Sequence, residues 1–66
     1  MKKVNFDLMS VDSNAFSLIG AWRKQALREG WSDAEVESVI KEAKSSDYAN
    51  LVAVLAEHSD YSDDVE

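Results

Sequence analysis

The chain lacks cysteine and proline, and its 66 residues include only two glycines and one histidine. Without cysteine it can form neither a disulfide nor a thiolate metal site, and it has no thiol nucleophile. The absence of proline and the scarcity of glycine argue against a flexible linker between two domains. We therefore expect one small domain that is held together by packing.

The same scarcities bear on catalysis and on ligand binding. Two isolated glycines do not make a phosphate-binding loop. A single histidine, His58, matches neither a catalytic dyad nor a zinc site. Asp60, Asp63 and Asp64 lack the glycine and the closing glutamate of an EF-hand loop. We predict a protein that is not an enzyme and that needs no cofactor and no metal.

Long apolar runs are also missing. No stretch approaches the roughly 20 apolar residues that span a membrane, and the first residues lack the apolar segment of a signal peptide. We expect a cytoplasmic protein that does not associate with membranes.

Charge is distributed unevenly along the chain, whose net charge is −6. Residues 1–31 carry five basic and three acidic side chains (+2), whereas residues 32–66 carry two basic and ten acidic ones (−8). An acidic half repels nucleic-acid phosphates, which disfavours nucleic acid as a partner.

The first segment has the period of a β-strand, because Val4, Phe6 and Leu8 alternate with polar residues. No second strand pattern follows, so the backbone of this segment needs another partner. We predict an extended N-terminal arm, residues 1–12, whose apolar side chains cover the helices. The alternative is a lone strand that pairs with another molecule, for example in a homodimer.

Three later segments show the three-and-four spacing of amphipathic helices. We predict helices at 14–29, 33–44 and 48–58, capped by Asp12, Ser13 or Asn14, by Ser32, and by Ser46 or Asp47. The predicted apolar stripes contain Ala15, Leu18, Ile19, Trp22 and Ala26, widened by Phe16 and Leu27; then Val36, Val39, Ile40 and Ala43; then Tyr48, Leu51, Val52 and Leu55, with Val54 somewhat off the stripe. The predicted fold is all-α, a three-helix domain over residues 1–58 with the arm, followed by an acidic tail, 59–66, without fixed structure.

The junction "EGWSDAE" predicts how the first two helices are joined. Gly30 suits the left-handed position that ends a helix. Ser32 and Glu35 have the spacing of a capping box, which places Trp31 and Val36 where they would form a hydrophobic staple. This role favours burial of Trp31, while exposure for partner binding is the alternative.

Gly20 is unusual because it lies inside the first predicted helix. Glycine there costs about 1 kcal/mol relative to alanine. Close helix packing, contact with the arm, or the approach of a partner would each explain it.

Ten residues are candidates for contact with a partner. They belong to the arm, to a basic cluster that could dock an acidic protein or remain a solvated face, to the helix junction, and to an acidic end that could imitate a phosphate backbone. They are Val4, Phe6, Leu8, Arg23, Lys24, Arg28, Trp31, Asp60, Asp63 and Asp64.

Several short motifs resemble those of small uncharacterised proteins from tailed bacteriophages and prophages. They are "NAF" (14–16), "EGW" (29–31), "DY" (47–48) and "LAEH" (55–58), and Ser46 stands where that group often has glycine. The resemblance implies a phage or prophage origin and assigns no activity.

Residues 29–58 also resemble ubiquitin-associated and related three-helix domains in the order of their elements. That likeness implies partner contacts at Gly30, Trp31, Leu51, Val54 and Leu55. The chain lacks the methionine that precedes the glycine in those domains, and its first helix is longer.

These observations favour a non-enzymatic phage or prophage protein that binds another protein, such as a host defence or nucleic-acid enzyme. One alternative is a structural module that dimerises through the arm. A third hypothesis is a DNA-binding regulator that uses Arg23, Lys24 and Arg28.

Overall fold

The structure, a computed structural model, describes residues 3–60 and confirms the all-α fold. A short 3-10 helix, Leu8–Ser10, precedes three α-helices: α1 (Ala15–Arg28), α2 (Asp33–Ala43) and α3 (Tyr48–Glu57). Each end of the three helices lies within one residue of its predicted position. Within residues 3–60, no helix is both long and apolar enough to cross a membrane.

Local side chains set where each helix begins. The side chains of Asn14 and Asp47 accept hydrogen bonds from the first-turn amides of α1 and α3. At α2 the predicted capping box is present, because Ser32 and Glu35 each accept a hydrogen bond from the backbone amide of the other. Gly30 has a φ of 94°, a left-handed conformation that suits glycine and ends α1.

The core is centred on two tryptophans. Trp22 of α1 has no exposed surface, and Trp31 is 6% exposed. Their rings meet edge to face, with centroids 5.3 Å apart and planes at 83°, an arrangement that aromatic pairs favour. Trp31 is therefore a core residue, as the staple predicted.

The N-terminal arm closes one side of this core. Val4 is fully buried and Phe6 is 9% exposed, so the prediction that the arm covers the helices is confirmed. The backbone of Val4 forms a parallel bridge to Ser59. Its N–H donates to the carbonyl of His58 at 2.8 Å, and its carbonyl accepts from the N–H of Asp60 at 2.7 Å.

This bridge supplies the backbone partner that the arm needs from within the same chain. Ser59 and Asp60, which we predicted to belong to the unstructured tail, instead contact the arm. A second tie joins the arm to the end of α1, where the N–H of Asn5 donates to Glu29 Oε2 at 3.0 Å. The same carboxylate oxygen accepts from the side chain of Gln25 at 2.7 Å.

Some sequence expectations about side chains and the arm were wrong. The arm does not stay extended through Leu8, because Asp7 accepts from the N–H of Met9 and caps the 3-10 helix. Phe16 is 87% exposed and Tyr48 is 49% exposed, although both were assigned to apolar stripes. Val54, placed off the stripe of α3, is buried at 5% exposure.

Candidate protein-binding surface

Four of the ten predicted contact residues cover the core instead. Val4, Phe6 and Trp31 are buried, and Leu8 is half-buried and packs against the same core. Their side chains are not presented to a partner in this structure. The arm and the helix junction therefore act as structural elements here, because the small domain uses their apolar surface to complete its core.

The basic cluster is exposed. Arg23, Lys24 and Arg28 lie on the solvent side of α1. Among the described residues, no carboxylate forms an ion pair with any of the three cations. Of the acidic candidates, Asp60 is exposed next to the arm, while Asp63 and Asp64 lie outside the described residues.

The solvent side of α1 also carries apolar groups. Phe16, Gly20, Arg23, Lys24 and Leu27 follow one another at helical spacing, and we call these five residues the outer face of α1. All are exposed except Leu27, which is half-buried. Among residues 3–60, Phe16 and Met9 are the two large apolar side chains with most of their surface in solvent. The outer face thus combines an aromatic ring, bare backbone and cations that form no ion pair within residues 3–60.

Gly20 is open to solvent. Apart from its chain neighbours and the nearby backbone of its own helix, a Cβ atom at this position would meet no atom of the described residues within 4 Å. Neither of the explanations that lie within the chain, close helix packing or contact with the arm, accounts for the glycine. Its cost to the helix is not offset by any contact that the structure describes.

Replacing Gly20 with alanine is expected to stabilise the protein by about 1 kcal/mol, because alanine has the higher helix propensity and its Cβ enters open space. Urea unfolding followed by far-ultraviolet circular dichroism measures this change. A matched Gly30→Ala variant should lose stability, because its φ of 94° disfavours a Cβ. A destabilised Gly20→Ala variant would contradict the open environment.

Tyr48 brings a second aromatic ring to the Phe16 end of the molecule. Its hydroxyl donates to the backbone carbonyl of Ser13, which lies just before α1. This hydrogen bond joins the start of α3 to the start of α1, and it leaves the Tyr48 ring half-exposed. Phe16 stands three residues beyond Ser13, so both exposed rings belong to the same end of the domain.

Other surface features are less distinctive. An open depression of about 320 Å³ on α2 is lined by Glu37, Ser38, Ile40, Lys41 and Lys44. Glu37 and Lys41 in this lining stand at i and i+4, a spacing at which opposite charges stabilise an exposed helix. His58 ends α3, and its Nδ1 lies 2.8 Å from the carbonyl of Val54, which is consistent with a role at the helix terminus.

The sequence contains a signal for the exposure of Phe16 that the stripe assignment missed. The residues one and two turns beyond it on the same side are Gly20, Arg23 and Lys24, and none of them extends an apolar stripe. The buried side of α1 instead follows Leu18, Trp22 and Ala26. Counting helical turns from Phe16 leads to Gly20, Arg23 and Lys24, whereas counting from Trp22 leads to Leu18 and Ala26. The two counts separate the exposed side of α1 from the buried side.

Fold and surface together define a small three-helix domain that is closed by an N-terminal arm and displays an aromatic and basic helix face. No model of a known protein family matches the chain, and neither does any curated protein or solved structure. The phage and ubiquitin-associated likenesses remain predictions. Four of the positions that the second likeness would assign to partner binding are buried here: Trp31, Leu51, Val54 and Leu55.

Proposed function

We propose that the protein is a non-enzymatic phage or prophage protein that binds another protein through the outer face of α1. The observation that carries the proposal is the 87% exposure of Phe16 beside Gly20 and beside cations that have no carboxylate partner in the described part of the chain. Leaving a phenylalanine in solvent forgoes about 1.5–3 kcal/mol of burial. Aromatic and arginine side chains are enriched at protein interfaces.

Charge favours a protein partner with an acidic patch. The cations Arg23, Lys24 and Arg28 form a basic strip on a chain whose net charge is −6. Such a strip can orient an acidic partner surface, because complementary charges act mainly on orientation and on association rate. The phage likeness supports a partner from the bacterial host, such as a defence or nucleic-acid enzyme, or from the phage itself.

Affinity capture from a bacterial host lysate tests this proposal. The intact chain should retain a host protein that mass spectrometry identifies, and titration calorimetry with both purified proteins should reproduce the binding. A Phe16→Ser variant should bind at least about tenfold more weakly. The matched control is Met9→Ser, which removes another exposed apolar side chain, 90% exposed, from a different element.

Three results of this capture would count against the proposal. Equal binding by the intact chain and Phe16→Ser would show that the outer face is not used. Loss of binding only when residues 61–66 are deleted would favour imitation of phosphates by the acidic end. Failure of the purified partner to bind the purified protein would show that the two proteins do not interact directly.

A further inference from the structure

We infer that the outer face of α1 docks an amphipathic helix of the partner, which crosses α1 at Gly20 and carries carboxylates beside its apolar stripe. The inference rests on the proposed function and specifies the chemistry of the partner. Spacing, access to the backbone and charge each support it.

The spacing on α1 is that of a helix–helix seam. Phe16, Gly20, Arg23 and Leu27 stand at positions i, i+4, i+7 and i+11, the repeat by which one helix presents a continuous stripe to another. From Phe16 to Leu27 the stripe is about 16 Å long, or three turns. Phe16 supplies the large apolar group at one end, and the half-buried Leu27 connects the other end to the core.

Gly20 lies near the middle of this stripe and has the properties of a crossing point. Helices pack with their axes about 8–10 Å apart, depending on the side chains at the contact. A glycine at the contact allows the close end of that range, because no Cβ stands between the two backbones. In the described structure that space is open, so an incoming helix would meet backbone at Gly20 and a projecting ring at Phe16.

Charge determines which helix fits. Arg23 is exposed on the stripe, Lys24 and Arg28 are exposed beside it, and none of them forms an ion pair among the described residues. The carboxylate of Glu29, which directly follows α1, accepts hydrogen bonds from the arm and from Gln25. Carboxylates on the incoming helix would therefore be the first partners of these cations.

Duplex DNA would supply negative charge as well, but it matches fewer of the observations. Phosphate contacts need neither an exposed phenylalanine nor a glycine with open space above it. The chain's net charge of −6 also repels a polyanion at long range. A protein helix uses the ring, the bare backbone and the cations together.

Selection from a displayed peptide library tests the inference. The library consists of helical peptides of about 20 residues, in which stripe positions sample glycine, alanine, serine and leucine and flanking positions sample glutamate, glutamine and lysine equally. It is sorted on the intact protein and then assayed on Gly20→Gln, on Phe16→Ser, and on the control Ala53→Gln. Ala53 is an exposed residue of α3, so its variant adds the same side chain to a different helix.

We expect enriched peptides to carry a small residue mid-stripe and glutamate in the flanks. They should bind the intact protein and Ala53→Gln equally, and Gly20→Gln and Phe16→Ser at least about tenfold more weakly. Glutamine has a higher helix propensity than glycine, so Gly20→Gln should be no less stable than the intact protein, and thermal unfolding checks this. If Gly20→Gln is folded and does not bind, the loss of binding is caused by the glutamine side chain on the outer face of α1 and not by unfolding.

Several outcomes would overturn the inference. One is that the selected peptides show no enrichment over a library of scrambled peptides, another is that they carry lysine in the flanks, and a third is that they bind Gly20→Gln as tightly as the intact protein. A homodimer in sedimentation equilibrium that Gly20→Gln dissociates would assign the face to a second copy. Low-salt binding of a DNA duplex that depends on Gly20 and Phe16 would assign it to nucleic acid.

The two proposals fail separately. If the host partner depends on Phe16 but the selection yields no acidic helix, the protein-binding function stands and the helical partner is wrong. If the selection succeeds and no host protein is captured, the surface is a helix-docking site whose natural partner belongs elsewhere, for example to the phage itself.

Discussion

Replacing Trp22 with alanine is expected to unfold most of the protein at 25 °C. Truncation of a buried tryptophan costs about 3–5 kcal/mol, and a core of this size rarely supplies more than about 3–5 kcal/mol of net stability. Trp22 has no exposed surface, and its ring contacts Trp31 edge to face. Far-ultraviolet circular dichroism should show a large loss of helix.

Two variants calibrate this result. Arg23→Ala changes the neighbouring exposed residue of α1 and should shift the free energy of unfolding by no more than about 0.5 kcal/mol. Trp22→Phe should be less harmful than Trp22→Ala, because it keeps an aromatic ring and removes a buried indole N–H that has no hydrogen-bond partner among the described residues. A Trp22→Ala variant with full helix content and an unchanged urea midpoint would contradict the central place of Trp22 in the core.

Replacing Val4 with aspartate should have the second-largest effect, a loss on the order of 4 kcal/mol. The substitution puts a carboxylate at a site with no exposed surface and removes a buried apolar side chain. It should also release the bridge that joins the arm to the residues after α3. Far-ultraviolet circular dichroism without denaturant shows how much of the variant is still folded, and urea unfolding measures the loss for that fraction; faster hydrogen exchange at the Asp60 amide would report opening of the bridge.

Met9→Asp is the matched control for Val4→Asp. It introduces the same charge five residues along the same segment, where the side chain is 90% exposed. Its unfolding free energy should stay within about 0.5 kcal/mol of that of the intact protein. Equal effects at the two positions would mean that the arm does not cover the core in solution.

The arm bears directly on the hypothesis of dimerisation by strand pairing. Both backbone groups of Val4 are engaged within the chain, and Phe6 packs into the core. Pairing of this segment with a second copy would need the internal bridge to open first. A Phe6→Asp variant would therefore report on folding as well as on association.

The helix ends could be predicted from the sequence because the interactions that set them span only a few residues. Asn14, Asp47 and the Ser32–Glu35 pair act on amides within their own first turns. The end of α1 depends on Gly30 alone, because glycine readily adopts the positive φ found there. The buried stripe of α2 could also be predicted from the sequence, because α2 has no second apolar face. The stripe consists of Val36, Val39, Ile40 and Ala43.

Other features depended on contacts between distant parts of the chain. The partner of the arm lies more than 50 residues away, at His58, Ser59 and Asp60, and no strand pattern marks those residues. The exposure of Phe16 depended on which side of α1 the other helices cover. Apolar residues around α1 permitted more than one choice of buried side, and packing around Trp22 selected among them.

The sequence by itself determined three helices with their capping segments and a basic cluster on α1, and it favoured burial of Trp31, because caps and helical period are properties of neighbouring residues. Only the tertiary structure decided that the arm closes on the end of α3, and that Phe16, Gly20 and the cations share an exposed face. The physical reason is that burial is a property of the assembled chain. A side chain becomes core or surface only when distant elements pack against one side of its helix and leave the other in water.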